Sequence, residues 1–238
     1  MTHVFLLLLF AHVLGDFVFQ TNNIYRMKVM HLGGVIIHSA IFYALAIALT
    51  FPSSIYNGRF AFWLFAVFIS HILIDKVKLI FGKTVIQKEF INFIIDQCIH
   101  VAVLSTVYLI PFNGNFISFV VNKSTFSGLS NSALSVILFV ASMLIFVSYA
   151  ISVLLYYYDC SVSKDPKSLK YNYSRMLYRS ILFLLLISPY FPIAIVLIIA
   201  NYVYTKKILK YDLLRFIIEK VYLILLVFVF FLGKGVLI

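Results

Sequence analysis

Apolar runs long enough to cross a lipid bilayer dominate the chain. They extend from Val4 to Phe19, Val35 to Phe51, Phe60 to Phe81, Phe90 to Ile110, Ser132 to Tyr158, Ser180 to Tyr204 and Leu213 to Leu232. About 20 apolar residues in helical form cross the ~30 Å hydrocarbon core. In that core the backbone must satisfy its own hydrogen bonds. The expected fold is therefore all-α, a polytopic transmembrane helix bundle of six to seven spans. Only 11% of the 238 residues are charged and 63% are hydrophobic. A soluble domain carries about 25% charged residues, so none fits between the spans. The first run has no basic segment before it and contains His12 and Asp16. It reads as a retained span that continues helically to Tyr25, not as a cleaved signal peptide.

The net charge of +11 is distributed unevenly. Arg26 and Lys28 follow the first span; Lys76, Lys78, Lys83 and Lys88 follow the third; Lys164, Lys167, Lys170, Arg175 and Arg179 follow the fifth. The second and fourth connections hold Arg59 and Lys123 alone. The positive-inside rule then places the N-terminus outside and the basic loops in the cytoplasm of a multi-pass protein of the cell membrane. Basic residues scattered over separate loops do not make a nucleic-acid surface, and they favour anionic lipid headgroups as partners. The run from Ser180 to Tyr204 strains this scheme, because Lys206, Lys207, Lys210 and Arg215 follow it. Either it is one kinked span or it is a re-entrant hairpin around Pro189 and Pro192. The predicted organisation is a four-helix membrane domain over residues 1–111, an extracytoplasmic loop over 112–131, whose "FISFVV" reads as surface-lying, and C-terminal scaffold helices over 132–238. Cys98 and Cys160, the two cysteines, suggest neither a disulfide nor a thiolate metal site.

Against this apolar background the ionisable residues are strongly patterned. All six histidines lie within the first hundred residues, as do Asp16, Asp75 and Asp96. His12 and Asp16, His71 and Asp75, and Asp96 and His100 are each four apart, so each pair shares a helix face. His38 stands alone in the second span, and His3 and His31 read as interfacial. Hairpin order brings the first three spans' sets and the fourth's to the same end of the bundle, the cytoplasmic one by the charge count. "HVLGD" and "HILID", 59 residues apart, form a weak internal repeat of tandem hairpins. A charged Asp at mid-helix costs ~2.5–3.5 kcal/mol on insertion scales, so three of them demand compensation.

Mutual His–Asp pairing that glues helices together is one compensation. A metal site is another. Imidazole and carboxylate together suit Zn, Mn or Fe, and helical ligands at i,i+4 converge on one ion. The candidate ligands are His12, Asp16, His38, His71, Asp75, Asp96 and His100. They exceed the four that one tetrahedral zinc takes, which leaves room for a second metal or for catalytic duty by Asp16, Asp96 and His100. Gln20, Asn92 and Gln97 are candidates to orient ligands or substrate. Lys28 and Lys78, at the cytoplasmic mouth, are candidates to attract a phosphate, with ordinary positive-inside anchoring as the plain alternative. Gly33 and Gly34 either start the second span or let helices approach closely.

The ordered set His12, Gly15, Asp16, Phe17 and Gln20, then Lys28, His38, His71, Asp75, Lys78, Asp96, Gln97 and His100, resembles the bacterial domain of unknown function 3307 family over about the first 110 residues. The resemblance implies an integral membrane protein and supplies no reaction. Three functional readings stand. One is a divalent-metal-dependent hydrolase acting on a lipid-linked or phosphate substrate from the cytoplasmic leaflet. The second is a proton or divalent-metal transporter. The third is an accessory protein that docks a partner through its basic loops, Lys164 to Arg179 or Lys206 to Arg215.

Overall fold

A computed structural model describes residues 2–51, 57–84, 89–110, 131–162, 172–208 and 213–237. The fold is all-α. In chain order the helices are α1 (Thr2–Val13), α2 (Asn22–Met30), α3 (Leu32–Thr50), α4 (Gly58–Thr84), α5 (Glu89–Ser105), α6 (Asn131–Ile145), α7 (Ile151–Val162), α8 (Tyr173–Leu186), α9 (Phe191–Ile208) and α10 (Leu213–Leu237). A π-helical turn, Leu14–Val18, extends α1, and a second, Phe146–Ala150, joins α6 to α7; a 3₁₀ turn, Thr106–Leu109, ends α5. Among the described residues five helices are long and apolar enough to cross a membrane, or six if one bent pair counts as a span. The protein is thus a multi-pass membrane protein, at or just below the lower edge of the expected span count. The predicted loop from Phe112 to Asn131 lies outside the described residues, apart from Asn131, which begins α6.

One expectation is corrected. The first span does not continue to Tyr25. After Val18 the chain turns by 90° into α2. The Phe19 N–H closes the π turn on the Leu14 carbonyl at 2.9 Å. Thr21 then caps α2 by accepting from the Ile24 N–H at 3.4 Å, satisfying one of the orphan donors of a new helix start. The run from Ser180 to Tyr204, left open between one kinked span and a hairpin, is two helices separated by a turn. Pro189 lacks an N–H and disfavours helical backbone at Ser188, so α8 stops and residues 187–190 form a turn. Pro192 sits in the first turn of α9, where a missing N–H is harmless. Tyr178 Oη donates to the Leu197 carbonyl at 3.0 Å, so α8 and α9 fold back side by side.

The chain separates into two compact units, Met1–Ser142 and Met143–Ile238. In the first, Val4, Leu8 and Ala11 of α1 pack with Phe42 and Ala46 of α3, Phe60, Leu64 and Val67 of α4, and Leu104 and Val107 near the end of α5. Gly15 permits the close approach of α1 and α3, since a Cβ there would lie 3.3 Å from both Cα and Cβ of Phe42. Outward-facing residues such as Phe62, Phe65 and Leu73 are exposed, as a lipid-facing surface requires. In the second unit Ile151, Leu154, Leu182, Phe183 and Leu223 are buried. Two charged sites there are buried. Glu219 lies nearly two turns into α10 against Lys220 at 2.7 Å. Arg179, expected as a loop residue, is buried in α8 and donates to Ser152 Oγ at 2.7 Å.

Candidate metal centre

Four helices of the first unit deliver the polar groups. His12 ends the α-helical part of α1 and Asp16 sits in its π turn, His38 lies in α3, His71 and Asp75 in α4, and Asp96 and His100 in α5. All seven are buried. They occupy one end of the four-helix packing, and the apolar cluster from Val4 to Val107 fills the other. The i,i+4 spacing keeps each pair on one face, at 3.6 Å for His12–Asp16, 3.4 Å for His71–Asp75 and 3.5 Å for Asp96–His100. The π turn widens the helix at Asp16, a local irregularity frequent at functional sites.

Contacts between helices are as close as those within them. Asp16 Oδ1 is 3.3 Å from His38 Nε2, 3.3 Å from His71 Nε2 and 3.6 Å from His12 Nδ1. His71 and His100 have ring centroids 4.2 Å apart, and His12 and His100 4.9 Å. Three groups, His12–His71–His100, Asp16–His38–His71 and Asp16–Asp96–His100, each bring one ligand atom per residue within 4.8 Å of the others.

These distances match those between ligands of one ion: two ligands bound at about 2.0–2.2 Å to a tetrahedral ion lie about 3.3–3.6 Å apart. Both nitrogens of His12 and His38, Nε2 of His71 and of His100, and Oδ1 of Asp16 and of Asp96 are buried with no hydrogen-bond partner among the described residues. Buried polar atoms are seldom left so. A protein interior lined by these donor atoms fits a divalent cation.

The carboxylates divide by charge compensation. Lys28 Nζ is 2.7 Å from Asp75 Oδ1, and Lys78 Nζ donates to Asp96 Oδ2 at 2.6 Å. Both ammonium groups thus pair with carboxylates of the cluster. Asp16 has no lysine against it among the described residues; beyond the imidazoles it accepts only a 3.4 Å bond from Gln97 Nε2. Gln97 also donates to Asp96 Oδ2 at 3.1 Å and so bridges α1 and α5. Gly34 places Lys28. A Cβ at Gly34 would lie 2.1 Å from the Met27 carbonyl carbon and 2.4 Å from the Lys28 nitrogen, so only glycine lets α2 rest on α3. Gly33 has open space around it.

The family described as "Protein of unknown function (DUF3307)" has a sequence model that matches residues 4–127. The chain belongs to this family. No curated protein and no solved structure matches it. The DUF3307 segment contains every residue of the buried cluster and both of its lysines, while α6 to α10 lie beyond it.

Within the DUF3307 segment the structure brings together all of the ligand candidates, with Lys28, Lys78 and Gln97. It does not bring in Gln20, which falls in the break between α1 and α2, off the helical stripe it would otherwise continue. Asn92 is half-buried in α5, one turn before Asp96, and makes no hydrogen bond to the cluster among the described residues. Ser39 was missed by sequence. It is fully buried, and its hydroxyl is 3.3 Å from His71 Nδ1, the nitrogen that also faces Asp75 Oδ2. A hydroxyl next to His38 in an otherwise apolar span was the available signal. His3, read as interfacial, is half-buried and hydrogen-bonded to Ser135, and His31 is exposed at the N-cap of α3.

Proposed function

We propose that this DUF3307 protein is a divalent-metal-dependent membrane hydrolase acting on a lipid-linked or phosphate substrate that enters from the cytoplasmic leaflet. The carrying observation is Asp16 Oδ1 within 3.6 Å of imidazole nitrogens from three helices, with no hydrogen-bond partner for those atoms among the described residues. Asp16, His38 and His71 supply three ligands and leave a position open, as catalytic sites do. His71 is held for this by Asp75 and Ser39 on its other nitrogen, an arrangement that fixes ring orientation and tautomer. Zn, Mn or Fe suits such a set, and a bound ion would supply Lewis-acid activation of water or a phosphoryl oxygen. His12 and His100, which pack against each other and against His71, would be the groups to take a proton from a water activated there.

Charge supports an anionic substrate. Three carboxylates against two lysines leave one negative charge; a divalent ion overshoots to one positive charge, which an anionic group offsets. The apolar packing of Phe42, Phe60, Leu64 and Val107 beyond the cluster supports a one-sided site over a transport path. In this reading the N-terminus lies outside and the hairpin of α8 and α9 is re-entrant within a C-terminal scaffold.

Elemental analysis of the purified protein tests the proposal. About one Zn, Mn or Fe per chain is expected, lost in Asp16→Ala and retained in His100→Ala, with hydrolysis of phosphate or acyl esters lost in both. Protein without stoichiometric metal, indifferent to chelators, would end this reading.

A further inference from the structure

A cleft of about 240 Å³ opens where the end of α2, the start of α3 and the end of α4 meet. Lys28, His31 and Lys76 line it together with the apolar Met30, Leu79 and Ile80. No carboxylate lines it among the described residues. One candidate span begins at Leu32 and the cleft reaches the last two turns of another, α4, so by length and composition it lies near the ends of two spans. The α3 N-terminus adds the positive end of a 19-residue helix dipole.

We propose that this cleft binds the phosphate headgroup of an anionic membrane lipid. Three observations converge on that ligand. Lys76, exposed on α4 with Lys28 and His31 beside it in the lining, favours a phosphate. The volume falls below the ~300–1,000 Å³ that encloses a whole drug-sized molecule, so it holds a headgroup and leaves the acyl chains outside. Met30 and Ile80, 65% and 51% exposed, offer those chains an apolar flank.

Lys28 gives the cleft its connection to the buried cluster. Lys28 both lines the cleft and holds Asp75 at 2.7 Å, so the cleft lies one side chain away from the buried cluster. As a binding site the cleft stands on its own lining; as the route by which substrate arrives it rests on the metal-hydrolase reading.

Dioctanoyl phosphatidic acid, dioctanoylglycerol and inorganic phosphate, titrated into the full-length protein in detergent before and after chelation, test the inference, with metal content measured on the same samples. Saturable phosphatidic acid binding is expected, at least tenfold tighter than dioctanoylglycerol, surviving chelation, weakened about tenfold by Lys76→Glu and preserved by Lys76→Arg. Lys76 is exposed, so these variants leave the packing intact. Equal binding of the two lipids, indifference to Lys76→Glu, or loss of binding on chelation would overturn the assignment. Displacement by inorganic phosphate at equal concentration would also overturn it, assigning the cleft to the free anion. Metal retained without lipid binding sinks this inference alone, and lipid binding without metal sinks the hydrolase reading alone.

Discussion

Lys28 Nζ lies 2.7 Å from Asp75 Oδ1, tying the bent-away helix α2 to the spanning helix α4 through a carboxylate that is fully inaccessible. Removing one partner of a buried ion pair leaves the other charge stranded and costs about 3–5 kcal/mol. Lys28→Met is therefore expected to melt well below wild type in detergent. The double variant Lys28→Met/Asp75→Asn should recover much of the loss, because the two residues couple. Additive losses in that cycle would mean that the contact carries no stability.

The same pair depends on a glycine. A Cβ at Gly34 would sit 2.1–2.4 Å from backbone atoms of Met27 and Lys28, so α2 must shift to admit it. Overpacking of this kind costs about 1–3 kcal/mol. Gly33→Ala meets nothing within 4 Å and should behave as wild type. Thermal melts of the two variants side by side check this, and equal stability would contradict the close approach.

Gln97 holds two carboxylates at once, Asp16 Oδ2 at 3.4 Å and Asp96 Oδ2 at 3.1 Å. Groups that orient ligands typically tune metal affinity 10–100-fold. Gln97→Ala is expected to weaken metal binding by about that factor in competition with a chelator, without abolishing it. His3→Ala, whose imidazole bonds Ser135 away from the cluster, should leave affinity unchanged.

The His/Asp cluster was legible because helical periodicity is strict. A four-residue spacing fixes a face whatever surrounds it, and hairpin order then brought His12, His71 and His100 to one depth. Gln20 obeyed the same spacing and still left the stripe, because the helix carrying it ends; the "QTNN" stretch, with Thr21 as a cap, was the local signal. The inward turn of Lys28 had no such signal. It depends on a backbone contact with Gly34, six residues on and in another helix, which patterning by composition cannot reveal. Buried Arg179 was likewise masked by basic neighbours that read as loop charge.

Arg179 gives the second unit its own test. Its guanidinium donates to Ser152 Oγ at 2.7 Å and to the Arg175 carbonyl at 3.2 Å while 3% exposed. Ser152→Ala removes one partner of a buried charged donor, a loss of about 1–3 kcal/mol. Melting temperature is expected to fall while bound metal stays at wild-type stoichiometry, and a loss of metal would tie this network to the centre in the first unit.

Asp16→Asn separates a metal centre from a purely structural His/Asp cluster. The substitution keeps the side chain's shape and its capacity to accept from Gln97, and removes the carboxylate that has no lysine against it among the described residues. If pairing with His12, His38 and His71 were only glue between helices, the neutral amide would weaken it and the protein would melt lower under every condition. If Asp16 awaits a cation, its charge is a burden in the metal-free protein, worth up to ~2.5–3.5 kcal/mol at the centre of a span. Metal-free Asp16→Asn should then melt at or above metal-free wild type. Adding the metal at 100 times its dissociation constant stabilises a binding-competent fold by ~2.7 kcal/mol, so wild type should gain that increment and the variant should not. A variant that melts lower than wild type without metal and gains as much as wild type with it would assign the cluster to packing and leave Asp16 without a ligand's role.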